Sequence, residues 1–326
     1  MEFRTVIHQN ERRGDIKHHH RIMLIGSCFS DNIGNRLCRA MFNAEVNPFG
    51  TVYNPASIKS EIERIINAAP ITDEEMFLAN GMWNHFSFHS QFSRCDKDEA
   101  VRLMNIRLSY AHEHLKRCDE VIITLGTAFV YWNNDSGNIV SNCHKLPAVQ
   151  FTRSMMSVSE VTECLDGIVQ AINSYAPQAK VVFTVSPIRH LADGLEQNQQ
   201  SKSTLRVAIG ETVAKQHECC SYFPAYEIMM DDLRDYRFYA ADMTHPSDVA
   251  VEYIWNAFKE AYLDERTIQT AARCERIYKR LEHRPMTDNK EAIARFRNET
   301  AEILKNLMNE FPYLKEIPKL NEYLAL

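Results

Sequence analysis

Nowhere does this chain carry the roughly 20 consecutive apolar residues needed to cross a bilayer as a helix. Its start, Met1-Glu2-Phe3-Arg4-Thr5, runs into polar residues rather than the apolar core of a secretory leader. Basic residues are scarce relative to acidic ones. The formal net charge is −6, and no Lys/Arg cluster reverses it, which argues against general nucleic-acid binding. There is no CxxC pair and no zinc-finger spacing. Nine cysteines without a leader fit a reducing, cytoplasmic setting better than a disulfide framework. The dense Asp/His/Asn set of a two-metal phosphoesterase is also missing, so no metal is expected. His18-His19-His20 reads as a solvated loop without a catalytic role.

What the chain does have is a series of short apolar runs, each ending in small residues. Ile22 to Ile25 suits a strand buried on both faces of a parallel sheet, and Gly26-Ser27-Cys28-Phe29-Ser30 breaks it before a helical pattern around Ile33 and Leu37. Glu120 to Thr127 repeats the layout, with Gly126 and Thr127 at its end, and Lys180 to Pro187 gives it a third time. Cys220 to Pro224 suits a last strand. Helices are expected over 56–68, 99–118, 159–175, 198–216 and 246–263. Strands alternating with helices predict a doubly wound, three-layer α/β/α sandwich over 1–263. Two charged helical patterns, 264–281 and 289–309, are separated by His283-Arg284-Pro285. They predict a C-terminal hairpin appendage over 264–326, packed on the sandwich or on a second copy of the chain.

Turns at the carboxyl edge of an open α/β sheet are where ligands bind. A helix start there favours a thiolate or a developing oxyanion. Ser27 and Cys28 are therefore candidate nucleophiles, although such a turn also serves simply as a cap with a small core residue. Asp242-Met243-Thr244-His245-Pro246 is the second informative stretch. A carboxylate three residues before an imidazole can fix its tautomer, the orienter and base of a hydrolytic triad.

These motifs together resemble the GSCFA family, whose name stands here as Gly26-Ser27-Cys28-Phe29-Ser30. The matching stretches include Asn47-Pro48-Phe49-Gly50, Tyr53-Asn54-Pro55, Thr124-Leu125-Gly126-Thr127-Ala128, Asn142-Cys143-His144-Lys145-Leu146-Pro147, Ser186-Pro187-Ile188-Arg189-His190 and Asp242-x-x-His245-Pro246. The resemblance implies a flavodoxin-like sandwich of the SGNH or GDSL hydrolase type, with its nucleophile after the first strand. It implies an esterase or acyltransferase acting through an acyl-enzyme, on an acylated carbohydrate or similar small ester. No cofactor is required; a thiol nucleophile leaves room for acyl-CoA as donor. A catalytically weak binding module is the alternative.

Two departures from the SGNH pattern stand out. Laid ungapped on Gly-Asp-Ser-Leu, the nucleophile position is Cys28; a one-residue shift makes it Ser27. The third SGNH block carries an oxyanion Asn, whereas this chain has Gly126-Thr127-Ala128. Gly50, Asn47, Gly126, Thr127, Asn142 or backbone N–H groups would have to substitute. Arg189 and His190 follow the third strand, where a cation suits an acidic substrate. His144 lies in a Pro-closed loop that reaches toward the same edge, and His85 and His89 sit among aromatics suited to a sugar or acyl pocket. If Cys28 attacks, its pKa is expected below the free-thiol value of about 8.5.

Overall fold

In the computed structural model, which describes residues 5–7, 13–283, 286 and 288–325, the buried apolar runs form strands. β1 (Arg21–Gly26) leads through α1 (Cys28–Arg39) to β2 (Asn43–Val46) and α2 (Pro55–Asn67). A small hairpin, β3 (Phe77–Ala79) and β4 (Met82–Asn84), precedes α3 (Lys97–Leu115) and β5 (Glu120–Leu125). β6 (Phe129–Asn133), β7 (Ile139–Val140) and β8 (Phe151–Met155) form a separate antiparallel sheet. Then come α4 (Val158–Tyr175), β9 (Lys180–Val185), α5 (Gly194–Lys215) and β10 (Cys220–Phe223). The short turn α6 (Ala225–Glu227) is followed by α7 (Asp248–Tyr262), α8 (Glu265–Glu282), α9 (Lys290–Glu310) and α10 (Pro318–Ala325).

The main sheet runs β2-β1-β5-β9-β10, every neighbouring pair parallel. Gly26 lies opposite Thr124, and Leu125 opposite Val185, so the turns after β1, β5 and β9 emerge at one edge. Strand order reverses between β1 and β5, the switch point at which doubly wound sheets open a crevice. Both faces of the sheet are covered. Met23 and Ile25 pack with residues of α2, α3 and α4, whereas Ile22 and Leu24 pack with α1 and α7. Each such side chain, wholly buried, contributes about 1.5–3 kcal/mol relative to exposure.

The sequence reading differs from the structure in a few places. The edge strand β2 and the outer strand β8 were not foreseen. The aromatic stretch that carries His85 and His89 begins at the end of β4 and then turns through His85 to Phe92. His18 is not solvated: it is buried, with Nε2 2.8 Å from the Ala40 carbonyl and Nδ1 2.9 Å from the Tyr313 hydroxyl. Burial lowers its pKa to about 4.

α8 and α9 pack on the sandwich of their own chain. Met41, just after α1, joins Cys274, Tyr278, Leu304 and Leu307 in one apolar cluster, and Lys17 reaches Asp264 at 2.6 Å. The expected break at Arg284-Pro285 lies outside the described residues. Among the described residues, no helix is long and apolar enough to cross a membrane.

Candidate active site

The turn after β1 is fixed from several sides. Gly26 has φ +147°, and a Cβ there would lie 2.2 Å from the Thr124 carbonyl oxygen, so only glycine lets β1 and β5 close up. Its N–H donates to Asn47 Oδ1 at 2.9 Å, and the Ser27 N–H donates to the Thr124 carbonyl at 3.2 Å. Ser27 is the N-cap of α1. Its backbone is extended, its hydroxyl accepts the Phe29 N–H at 3.3 Å, and it is 1% exposed. Cys28 is then the first residue of the helix and is only partly buried.

A pocket of about 490 Å³ opens beside this turn. Its lining brings together Ser27, Cys28, Asn54, Thr127, Arg189, His190 and His245, with Phe129, Tyr131 and Val140 supplying an apolar wall from the antiparallel sheet. Arg153 of β8 also lines it, its guanidinium 3.7 Å from the Phe129 ring centroid. Its size and mixed lining are those of a small-molecule site.

His245 reaches the pocket from a turn between β10 and α7. Met243 takes φ 59°, so the chain folds back and Asp242 faces the imidazole. Asp242 Oδ2 lies 2.5 Å from His245 Nδ1, while Oδ1 accepts the Thr244 and His245 N–H groups, each at 2.9 Å. These bonds hold the Asp242 carboxyl well below the usual carboxylate range. With Nδ1 engaged by the carboxylate, Nε2 is the imidazole nitrogen left for proton transfer.

The electrostatics at Cys28 run against expectation. Its pKa is raised, first by burial and then by the Asp31 carboxylate. The expected depression fails because Cys28 is sunk into the turn with an acid one helical turn away. Pulling the other way are the Cys28 and Phe29 amides and the ammonium of Lys202. Lys202, which the sequence reading missed, is 1% exposed on α5. Its Nζ donates to the Gly126 carbonyl at 2.6 Å and the Ser186 carbonyl at 2.9 Å, tying together the ends of β5 and β9. Burial lowers its pKa to about 7, and among the described residues no carboxylate pairs with it. Next to it, the Ser201 hydroxyl accepts the Ala128 N–H at 2.8 Å and lies 3.0 Å from Thr127 Oγ1.

Other candidates are drawn to other tasks. The Gly126 and Thr127 N–H groups both donate to the Tyr53 carbonyl, at 2.7 and 3.0 Å, so neither is open to a ligand. Asn47 is occupied on both sides, by Gly26 N and by Asp31 Oδ1 at 2.7 Å. Gly50 does not line the pocket; its α-carbon faces His89, whose Cβ would sit 2.2 Å from an added methyl. Asn142 uses Oδ1 to accept the His144 N–H at 2.8 Å. His144 is buried, with Nε2 2.9 Å from the His85 carbonyl, and burial lowers its pKa. His85 is buried beside Phe88, and neither it nor His89 lines the pocket. Arg189 and His190 do line it: a guanidinium nitrogen of Arg189 lies 3.0 Å from Met230 Sδ, and the His190 N–H donates to Asn198 at 3.0 Å. Among the described residues, no group of three His, Cys, Asp or Glu side chains is placed to hold a metal ion.

No curated protein matches the chain in sequence. Among solved structures it is similar to "a putative platelet activating factor from Streptococcus pneumonia", with 13% identity, TM-score 0.41, and 74% of this chain and 83% of that one covered. It is also similar to a carbohydrate esterase family 2 enzyme with a carbohydrate binding domain, from Corynascus thermopiles (Myceliophthora fergusii). There the identity is 15%, the TM-score 0.39, and the coverage 74% of this chain and 65% of that one. The GSCFA family model matches residues 21–258, a span that holds the whole main sheet, the Cys28 turn and the Asp242–His245 pair, and the chain belongs to the GSCFA family.

Proposed function

We propose that the protein is an ester hydrolase or acyltransferase in which Cys28 attacks an ester carbonyl, His245 moves the proton and Asp242 orients His245. The observation that carries this reading is the shared pocket: Cys28 and His245 line one cavity, although 217 residues apart in sequence. What supports Cys28 over Ser27 is that the Ser27 hydroxyl is engaged as the cap of α1 and nearly closed to solvent.

The chemistry follows from the groups present. Nε2 of His245 takes the Cys28 thiol proton as the sulfur adds to the carbonyl carbon. The imidazolium, stabilised by Asp242, returns that proton to the leaving alkoxide, and an acyl-cysteine remains. Water or a sugar hydroxyl, activated by His245, then takes the acyl group and restores the thiol. Two guanidinium groups on the wall, Arg153 and Arg189, suit a substrate with an acidic or strongly polar portion. The aromatic wall suits a sugar ring or short acyl chain. Acyl-CoA as donor remains part of the proposal.

A panel of p-nitrophenyl esters and acyl-CoA donors tests it. Cys28→Ala and His245→Ala should lose turnover while remaining folded. Ser27→Ala should keep most of it and lose about 1 kcal/mol of stability with the cap. An inactive Ser27→Ala beside an active Cys28→Ala would move the nucleophile to Ser27. A catalytically weak binding module is the second reading, favoured by the raised Cys28 pKa. A parent protein silent on the whole panel would make it the better one.

A further inference from the structure

The turn after β5 offers no side-chain amide to a developing oxyanion, and its Gly126 and Thr127 N–H groups are spent on the Tyr53 carbonyl. The residue following that carbonyl is Asn54. It is the N-cap of α2, extended at φ −112° and ψ 153°, with Pro55 holding the first helical position. Its Oδ1 accepts the Ser57 N–H at 2.8 Å, which fixes the rotamer and settles which end of the amide is oxygen. Nδ2 is thereby turned away from the helix, and among the described residues it has no acceptor. The side chain is only 6% exposed, yet it lines the same cavity as Cys28 and His245. A carboxamide clamped by its oxygen, with two unspent N–H donors beside a nucleophile, is a preorganised electrostatic group.

We propose that Asn54 is a catalytic residue: its Nδ2 donates to the oxyanion formed when Cys28 adds to the ester carbonyl. The assignment rests on the acyl-transfer reading above. As the C–S bond forms, the carbonyl π pair moves onto oxygen, and Asn54 stabilises that charge without exchanging a proton. On collapse the pair re-forms C=O, the bond to the leaving oxygen breaks, and His245 supplies the proton to that oxygen. The cap and the oxyanion donor are thus two ends of one side chain.

This division makes the roles separable. Asn54→Ser and Asn54→Asp keep an oxygen able to cap α2 but have no N–H to donate. Both should unfold thermally close to the parent, with kcat for the best ester falling about 10² to 10³-fold and KM within about twofold. Affinity for a trifluoromethyl ketone of the same acyl group, which adds to the thiol as a tetrahedral adduct, should fall in step with kcat. A measurement on the unmutated protein stands beside these: the Asn54 side-chain amide protons should move downfield in the NMR spectrum when that adduct forms. Parent-like kcat in both variants, or unmoved Asn54 amide protons in a formed adduct, would overturn the assignment. A parent that turns over no ester and forms no adduct overturns the acyl-transfer reading itself, and the assignment with it, an outcome distinct from the first.

Discussion

Glu61 on α2 gives a stability test that does not depend on any substrate. It is 3% exposed, and a carboxyl oxygen accepts the Phe49 N–H at 3.3 Å. Among the described residues no cation pairs with it, and burial raises its pKa from 4.5 to about 8. The folded protein therefore holds a proton on Glu61 across an interval in which the unfolded chain has lost it. The contribution is fully present below pH 4.5, falls as pH rises toward 8, and is gone above. At about 1.4 kcal/mol per pH unit, the slope amounts to a loss on the order of 5 kcal/mol across the interval. Glu61→Gln keeps an acceptor for Phe49 and removes the proton. Urea unfolding of parent and variant, run in parallel from pH 4 to pH 9, isolates the effect, because every other titrating group cancels in the difference. The two should be close in stability at pH 4, and the variant should gain steadily up to pH 8. Parallel curves would refute the argument that this carboxyl is held neutral in the fold.

Two further outcomes follow from the site. Lys202→Met takes the shared donor away from the Gly126 and Ser186 carbonyls and should cost about 1–3 kcal/mol in urea unfolding; a variant as stable as the parent would show that these two bonds do not hold the ends of β5 and β9 together. Gly26→Ala drives a methyl into the Thr124 carbonyl and should cost more than about 3 kcal/mol in urea unfolding, against about 1–2 kcal/mol for Gly137→Ala, where φ +68° strains an L residue but nothing lies within 4 Å of the added methyl.

Much of this architecture is legible in the sequence because burial on both faces leaves an apolar run. β1, β5 and β9 show it, and a small residue, Gly26, Gly126 or Ser186, closes or follows each. β2 does not: Asn43-Ala44-Glu45-Val46 is an edge strand whose buried Glu45 is neutralised by Arg107 of α3, an arrangement visible only once the two are close. β8, Phe151-Thr152-Arg153-Ser154-Met155, is mostly exposed and exists by pairing with β6. In the site, the Ser27-Cys28 and Asp242–His245 motifs are local and could be read directly. Lys202 could not, because α5 begins as a run of polar residues with no apolar stripe. The signal was there in spacing: Asn198, Ser201, Lys202, Leu205 and Ile209 fall on one face and are all buried. Cys28 was misjudged because sequence shows the helix start but not how deep the turn sits, nor that Asp31 is close enough to oppose ionisation.

The Tyr53 carbonyl receives two N–H groups from the end of β5, so the wall carrying Tyr53 and Asn54 is bolted to the wall carrying Thr127. The opposite side is joined more lightly: the Arg189 N–H meets the Thr244 carbonyl at 3.5 Å, and both Asp242 and His245 are about half exposed. The cavity thus has one tightly tied side, with Cys28 and Asn54, and one lightly tied side, with His245. Under the proposed acyl transfer, substrates of different girth would be met by the distance between Cys28 and His245, while the geometry between Cys28 and Asn54 is kept.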